Sequence, residues 1–219
     1  MTIKNITLTF DNGPTPGVTE HVLEVLKRHK ILATFFVIGE KIAKSGGRSL
    51  AEYAARQGHW IGNHTYTHSI PLGNNPALDA PVMEIGRTQE LLGELAHSRR
   101  LFRPVGGGGV LGPHLLSERA LAYLCDGKFT CVLWNAVPRD WENPENWVDV
   151  ALDQCRRQAW TTLVLHDLPT GAMRHLDAFV ERTLSEGASF QQGMSPDCIV
   201  VEKGEITADV SNYTNPVKA

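Results

Sequence analysis

Three observations predict an α/β fold built on a parallel sheet for this 219-residue chain. Short apolar runs recur at 6–10, 33–38, 60–62, 101–105, 131–136, 162–166 and 198–201. Helix-like stretches separate them, giving the strand–helix repeat of a parallel sheet, closed or open. Polar residues collect where the runs end, at the edge on which βα loops converge.

The elements follow in order. Ile6-Thr7-Leu8-Thr9-Phe10 alternates apolar and polar residues, the period of a strand with two unlike faces. It runs directly into Asp11-Asn12-Gly13-Pro14. Residues 17–29 carry Val18, Val22, Val25 and Leu26 at helical spacing. ATFFVI (33–38) reads as the second strand and 49–57 as the next helix, before WIG (60–62). Residues 82–97 are predicted helical, then LFRPV (101–105) extended and 114–125 helical. CVLWNA (131–136), a helix at 145–158 and TLVLH (162–166) continue the alternation. Pro169-Thr170-Gly171 leads into a helix at 173–186, and CIVV (198–201) is the last strand. No repeat, low-complexity tract or linker interrupts this order. Gly106 to Gly109 is too short a bias to mark a boundary. Residues 1–219 are therefore expected to be a single domain.

Composition excludes several function classes. Hydrophobic residues make up 42%, enough for a large core, and the net charge of -3 provides no general basic surface for nucleic acid. No apolar run approaches the length of a membrane span. MTIKNITLTF is already a strand pattern and lacks the charged and apolar regions of a signal peptide, so a cytoplasmic location is expected. Cys125, Cys131, Cys155 and Cys198 form no CxxC pair and read as reduced thiols. The sequence assigns no oligomeric state.

The polar residues at the strand ends have types that do chemistry. Asp11 and Asn12 follow the first run, Asn63 and His64 the third. Arg103 ends the fourth, Asp140 lies after the fifth, and His166-Asp167 ends the sixth. His64 and His68 are four apart, a spacing that on a helical turn stacks both imidazoles on one face. Taken alone, such a pair is more readily two ordinary histidines. Beside Asp11 and Asn12 it points to a metal ion with positions left open for water and substrate. His166 follows four largely apolar residues, so its ring is expected in the mouth, where an imidazole can hold and release a proton. Asp140 can orient that ring or keep it protonated. Arg103, between Phe102 and Pro104, can fix Asp11 as a carboxylate through paired hydrogen bonds.

In this order and spacing the segments resemble the polysaccharide deacetylase family, carbohydrate esterase family 4. The family's TFDDGP is matched by Thr9-Phe10-Asp11-Asn12-Gly13-Pro14, and its H-[ST]-x-x-H by His64-Thr65-Tyr66-Thr67-His68. Arg103-Pro104-Val105-Gly106-Gly107 stands for R-P-P-Y-G, Asp140-Trp141 for Asp-Trp, and Val164-Leu165-His166 for Leu-x-His, the leucine being taken as Leu163 or Leu165. The resemblance implies a distorted (β/α) barrel of about seven parallel strands. It implies hydrolysis of an N-acetyl group on an amino sugar or short chitooligosaccharide, releasing acetate. A divalent metal would be bound, zinc first, with cobalt, manganese or nickel as alternatives. By the same resemblance Asp11 is the general base, His64, His68 and Asn12 the metal ligands, and His166 the general acid. Arg103 would hold Asp11, and Asp140 would hold His166. Trp141 and Leu165 would wall the acetyl pocket, and the backbone N–H near Gly106 would help stabilise the oxyanion.

The chain departs from the pattern at three positions. Asn12 replaces an aspartate ligand. Its amide oxygen can ligate but brings no charge, which weakens binding by on the order of a few kcal/mol. Alternatively, Asp11 itself ligates and leaves the base role. Gly106 replaces a tyrosine, leaving an open glycine loop, and Val137 stands where an acid is usual, so the sugar subsites are expected to differ. Trp60, Trp134, Trp147 and Trp160 default to core packing. Two other readings remain open: a silent carbohydrate-binding relative emptied by the loss of the aspartate, and a hydrolase of another small non-peptide amide.

Overall fold

The computed structural model describes residues 3–215. In chain order the elements are β1 (Asn5–Asp11), α1 (Val18–His29), β2 (Thr34–Val37), α2 (Gly39–Ala43), α3 (Gly47–Arg56) and β3 (Trp60–Asn63). A π-helical turn (Pro81–Gly86) then runs into α4 (Arg87–Leu92), followed by β4 (Leu101–Phe102), β5 (Leu116–Ser117), α5 (Glu118–Asp126) and β6 (Thr130–Val132). The remainder is α6 (Trp147–Arg156), β7 (Trp160–His166), α7 (Leu176–Ser185), β8 (Ser189–Phe190), β9 (Ile199–Glu202), β10 (Glu205–Ile206) and β11 (Thr214–Asn215).

The main sheet is ordered β10-β9-β6-β4-β3-β2-β1-β7, with β8 also paired to β1. β1 to β4, β6, β7 and β8 run parallel, which makes seven parallel strands among the described residues. The run at 198–201 differs from the expected repeat: β9 is antiparallel to β6, and β10 turns back on β9. Beyond β6 the chain crosses to the far edge, where Ala136 bridges Leu163 of β7 in parallel and accepts a hydrogen bond from Val164 N at 3.0 Å. The sheet therefore curls into a distorted (β/α) barrel.

Strand alternation decides which side chains reach the interior. Ile6, Leu8 and Phe10 of β1 pack outward with Phe35, Val37, Ile61, Leu163 and Leu165 into the main core beneath the helices. The intervening residues face inward: Thr7, Thr9 and Asp11 of β1, Phe36 of β2, and Val164 and His166 of β7. α1 buries Val22, Val25 and Leu26 against this core, and Glu20 caps its start by accepting from Gly17 N at 2.7 Å.

Two helices differ from the sequence pattern. The single helix expected over 82–97 is broken into the π turn and α4, and ends at Gly93 with φ 53°. The helix expected over 114–125 starts later, at Glu118, because the Ser117 hydroxyl accepts from Ala120 N (3.1 Å) and caps it there. The residues before it, Leu116–Ser117, pair instead with β11, a partner about a hundred residues distant.

Candidate functional site

The parallel strand ends open on a cavity of about 190 Å³. Asp11, Asn12, His64, His68, Trp141 and His166 line it, so the dispersed strand-end residues do converge. The glycine loop 106–109, Trp134, Val137, Val164 and Leu168 complete its wall.

Asp11 ends β1 facing inward and meets Arg103, which follows β4. The guanidinium is fully buried and donates through Nη1 to Asp11 Oδ1 (2.9 Å) and Thr9 Oγ1 (2.6 Å). Its Nε and Nη2 donate to the carbonyls of Val132 (3.3 Å) and Leu133 (3.2 Å), and it stacks on Phe36 at 4.1 Å. A buried cation thus pairs with a buried carboxylate, and one carboxylate oxygen remains for the mouth: Asp11 Oδ2 lies 3.6 Å from His64 Nε2.

His64 and His68 approach with ring centroids 4.8 Å apart. The helical turn expected for them is absent. They lie on an irregular loop after β3, with Thr65 at φ 65° and His68 at φ 56°. The conformation follows from its hydrogen bonds: His64 N is tied to Val37 O at 3.0 Å, and the Thr65 and Tyr66 carbonyls to Gly39 N (2.9 Å) and Glu40 N (3.0 Å) at the start of α2. The His64 Nδ1–H donates to Arg103 O at 2.9 Å, which leaves Nε2 with its lone pair toward the cavity. Burial, outweighing the nearby Asp11 charge, depresses the His64 imidazolium. Burial and the His64 charge push His68 down to about 3. Both rings are neutral at pH 7, the form that ligates a metal.

Among the described residues, no three His, Cys, Asp or Glu side chains are grouped to hold an ion by themselves. A three-donor site here needs Asn12. Its φ of 72° is one that asparagine tolerates, and its Oδ1 is buried and, among the described residues, without a hydrogen-bond partner. An orphaned amide oxygen beside two unprotonated imidazoles is a donor set that fits a divalent cation of zinc type.

His166 ends β7 at the position paired with Asp11 of β1. Its Nδ1 bonds Asp140 Oδ1 at 2.8 Å, and its backbone N–H donates to Asp140 Oδ2 at 2.9 Å. Asp140 is fully buried, and Trp141 sets its ring edge-on to the imidazole at 4.6 Å. Burial alone would lower the imidazolium, but the bond and charge of Asp140, with Asp11 and Asp167 behind it, raise it above the usual histidine value.

One expected wall residue is misplaced. Leu165 faces the outer core, as does Leu163, because β7 alternates with His166; the residue two before the histidine, Val164, lines the cavity instead. The glycine loop is closed at Gly106, while Gly107 and Gly108 stay exposed. Trp134 Nε1 donates to Gly109 O at 3.0 Å, and a Cβ at Gly106 would come within 2.7 Å of the Trp134 ring. The indole fills the space that a side chain at 106 would take, so Trp134 belongs to the cavity wall as well as the core. The four-glycine run was the signal for it.

Two further residues have no role assigned from the sequence: Glu84, which carries no signal there, and Asp167, which is read only as part of the polar strand end at 166–167. Glu84, in the π turn, accepts hydrogen bonds from the loop that bears His68. Asp167 is fully buried, accepts from the Thr19 hydroxyl and lies where a Cβ on Gly13 would be 2.1 Å away. Burial raises its carboxyl to about 7. It braces the turn that follows Asp11 and Asn12.

Residues 1–119 match the family model of polysaccharide deacetylases. The chitooligosaccharide deacetylase of Sinorhizobium fredii is 32% identical over 186 residues, covering 83% of this chain and 81% of that protein. The peptidoglycan-N-acetylmuramic acid deacetylase PdaC of Bacillus subtilis is 28% identical over 187 residues, which are 84% of this chain but 37% of PdaC. The chain therefore spans little more than a third of that relative's length. The solved structure of the family 4 carbohydrate esterase from Streptomyces lividans, in complex with acetate, matches with a TM-score of 0.71 and 25% identity over 95% of this chain and 99% of that one. With the family model matched over more than half its residues, and a relative above 30% identity aligned along most of both chains, this chain belongs to the polysaccharide deacetylase family.

Proposed function

We propose that the protein is a metal-dependent N-deacetylase that hydrolyses the acetamido group of an amino sugar or short chitooligosaccharide to acetate and a free amine. One observation carries this reading. A carboxylate backed by buried Arg103 and an imidazole backed by buried Asp140 sit at paired positions of adjacent strands, beside two neutral histidines.

His64, His68 and Asn12 Oδ1 would hold the ion. A divalent cation there, zinc by preference with cobalt, manganese or nickel as alternatives, would polarise the acetyl carbonyl and acidify water. Asp11 accepts the proton of the attacking water on Oδ2, while Arg103 holds Oδ1 and keeps the carboxylate aimed. His166 donates a proton from Nε2 to the departing amine nitrogen, since Nδ1 is committed to Asp140. The elevated imidazolium suits this role, because the group must still carry its proton near neutrality. The Gly106 backbone N–H is assigned to the developing oxyanion. Trp141, Val164 and Leu168 enclose the acetyl methyl.

We take residues 1–219 as one catalytic unit, since β1 is paired with strands from both halves of the chain. The sugar assignment draws support from the chitooligosaccharide deacetylase, which aligns over most of both chains. Four unpaired cysteines agree with a reducing, cytoplasmic setting. No helix among the described residues is long and apolar enough to cross a membrane.

The test is acetate release from chitooligosaccharides by chelator-stripped protein, with and without added Zn²⁺ or Co²⁺. Metal-dependent release supports the reading. Sugar binding without release at saturating metal identifies a silent binding protein and refutes it.

A further inference from the structure

The loop from His64 to His68 is held in a shape that its own residues disfavour. Thr65 and His68 both have positive φ despite carrying a Cβ. The loop's carbonyls are taken by the first amides of α2. Its amides converge on a carboxylate instead: Tyr66 N and Thr67 N both donate to Glu84 Oε2 at 2.9 Å, and the Thr67 hydroxyl donates to Glu84 Oε1 at 2.7 Å. Successive N–H groups turned toward one point form a concavity that binds an anion.

Glu84 is buried, and among the described residues it forms no ion pair. A buried carboxylate without a cation is costly unless its lone pairs are met, and here the loop meets them. The π turn presents this side chain. Glu84 points at the loop while its neighbour Ile85 enters the core and offers its carbonyl to Asn63 Nδ2 (2.9 Å). Asn63 Oδ1 in turn accepts from Thr65 N at 3.0 Å. One irregular turn therefore grips both ends of the histidine loop. π turns interrupt helices where a side chain must be re-aimed, often at functional sites. Around Tyr66 the fit is close: Arg87 stacks on its ring at 3.7 Å, and a Cβ at Gly39 would come within 2.5 Å of it.

We propose that Glu84 is a positioning residue for the metal-binding loop: through the Tyr66 and Thr67 amides its carboxylate fixes the turn that sets His68 against His64. This rests on the metal reading given above. It makes Glu84 an outer partner of the ligands, a class whose loss commonly weakens metal affinity by about 10–100-fold.

The experiment is titration of Zn²⁺ alone into the metal-free protein, followed by calorimetry, with amide hydrogen exchange at Tyr66 and Thr67 measured before metal is added. Glu84→Ala is expected to weaken Zn²⁺ binding by about 10–100-fold and to speed exchange at both amides. Glu84→Gln is expected to lose less than about tenfold, since its amide oxygen can still accept from both N–H groups while its NH₂ meets the Thr67 hydroxyl. If Glu84→Ala does not fold, Glu84→Asp, which withdraws the carboxylate by one methylene, takes its place with the same expectation. Wild-type affinity in Glu84→Ala, or equal losses in Ala and Gln, overturns the positioning role alone. Absence of Zn²⁺ binding in the wild type overturns the metal reading and this proposal with it.

Discussion

Replacing Arg103 by methionine tests the electrostatics of the barrel interior. Methionine approximates the aliphatic stem of arginine but leaves Asp11, 3% exposed, without its cation. It also removes the donors to Thr9 Oγ1, Val132 O and Leu133 O. Removing one partner of a buried ion pair costs about 3–5 kcal/mol. Against a typical total stability of about 5–15 kcal/mol, that is a large fraction, readable as a lowered urea midpoint at unchanged slope. Asp11→Asn in the Arg103→Met background removes the stranded charge and is expected to recover part of the loss, about 2 kcal/mol or more, which a double-mutant cycle isolates. A single-variant cost below about 1 kcal/mol, or a double variant no more stable than Arg103→Met, would refute the argument that buried Arg103 neutralises Asp11.

Four other outcomes are expected. Asp140→Asn removes the charge that holds the His166 imidazolium above its ordinary value. The alkaline fall of kcat, where His166 loses its proton, should then move to lower pH; an unmoved limb would take His166 out of the acid role. Asp167, raised to about 7 in the fold from an unfolded value of about 4, binds its proton more tightly when folded. Its contribution is therefore full below pH ~4 and is lost as pH rises to about 7, so Asp167→Asn should flatten that decline in urea-derived stability. Gly106→Ala places a Cβ within 2.7 Å of Trp134 and should cost about 1–3 kcal/mol by overpacking, a loss relieved by Trp134→Leu in thermal unfolding. Asn12→Asp adds an anion to an otherwise neutral donor set and should tighten Zn²⁺ binding by at least about tenfold in calorimetry; unchanged affinity would mean that Asn12 does not touch the ion.

Much of the architecture was legible because period and position carry it. The alternation Ile6 to Phe10 separates an outer core face from an inner polar one, and that same alternation places Asp11 inside. Strand ends at His64, Arg103 and His166 could be read from where the apolar runs stop, and their convergence followed from parallel connectivity. Pairings between distant segments were not legible. β9 turns antiparallel against β6, and β5 finds β11, through contacts that no local pattern encodes. The His64–His68 loop was expected as a helical turn because an i,i+4 spacing is shared by helices and by other compact turns; the deciding hydrogen bonds come from Glu84 and α2. Leu165 was misplaced for a local reason. In the apolar stretch Leu163-Val164-Leu165 all three side chains are hydrophobic, so only the inward setting of His166 reveals that Val164 shares its face. Trp134 defaults to core packing: the glycine run signals room at the wall, but no local pattern says that this indole fills it.

The proposed metal site joins His64, His68 and the amide oxygen of Asn12 around a cation beside the free oxygen of Asp11. Anomalous scattering from a crystal soaked in zinc tests it most directly. A single strong peak is expected in the cavity, about 2.0–2.2 Å from His64 Nε2, a ring nitrogen of His68 and Asn12 Oδ1. An ion seated away from Asn12, or zinc bound only at histidines outside the cavity, would contradict it.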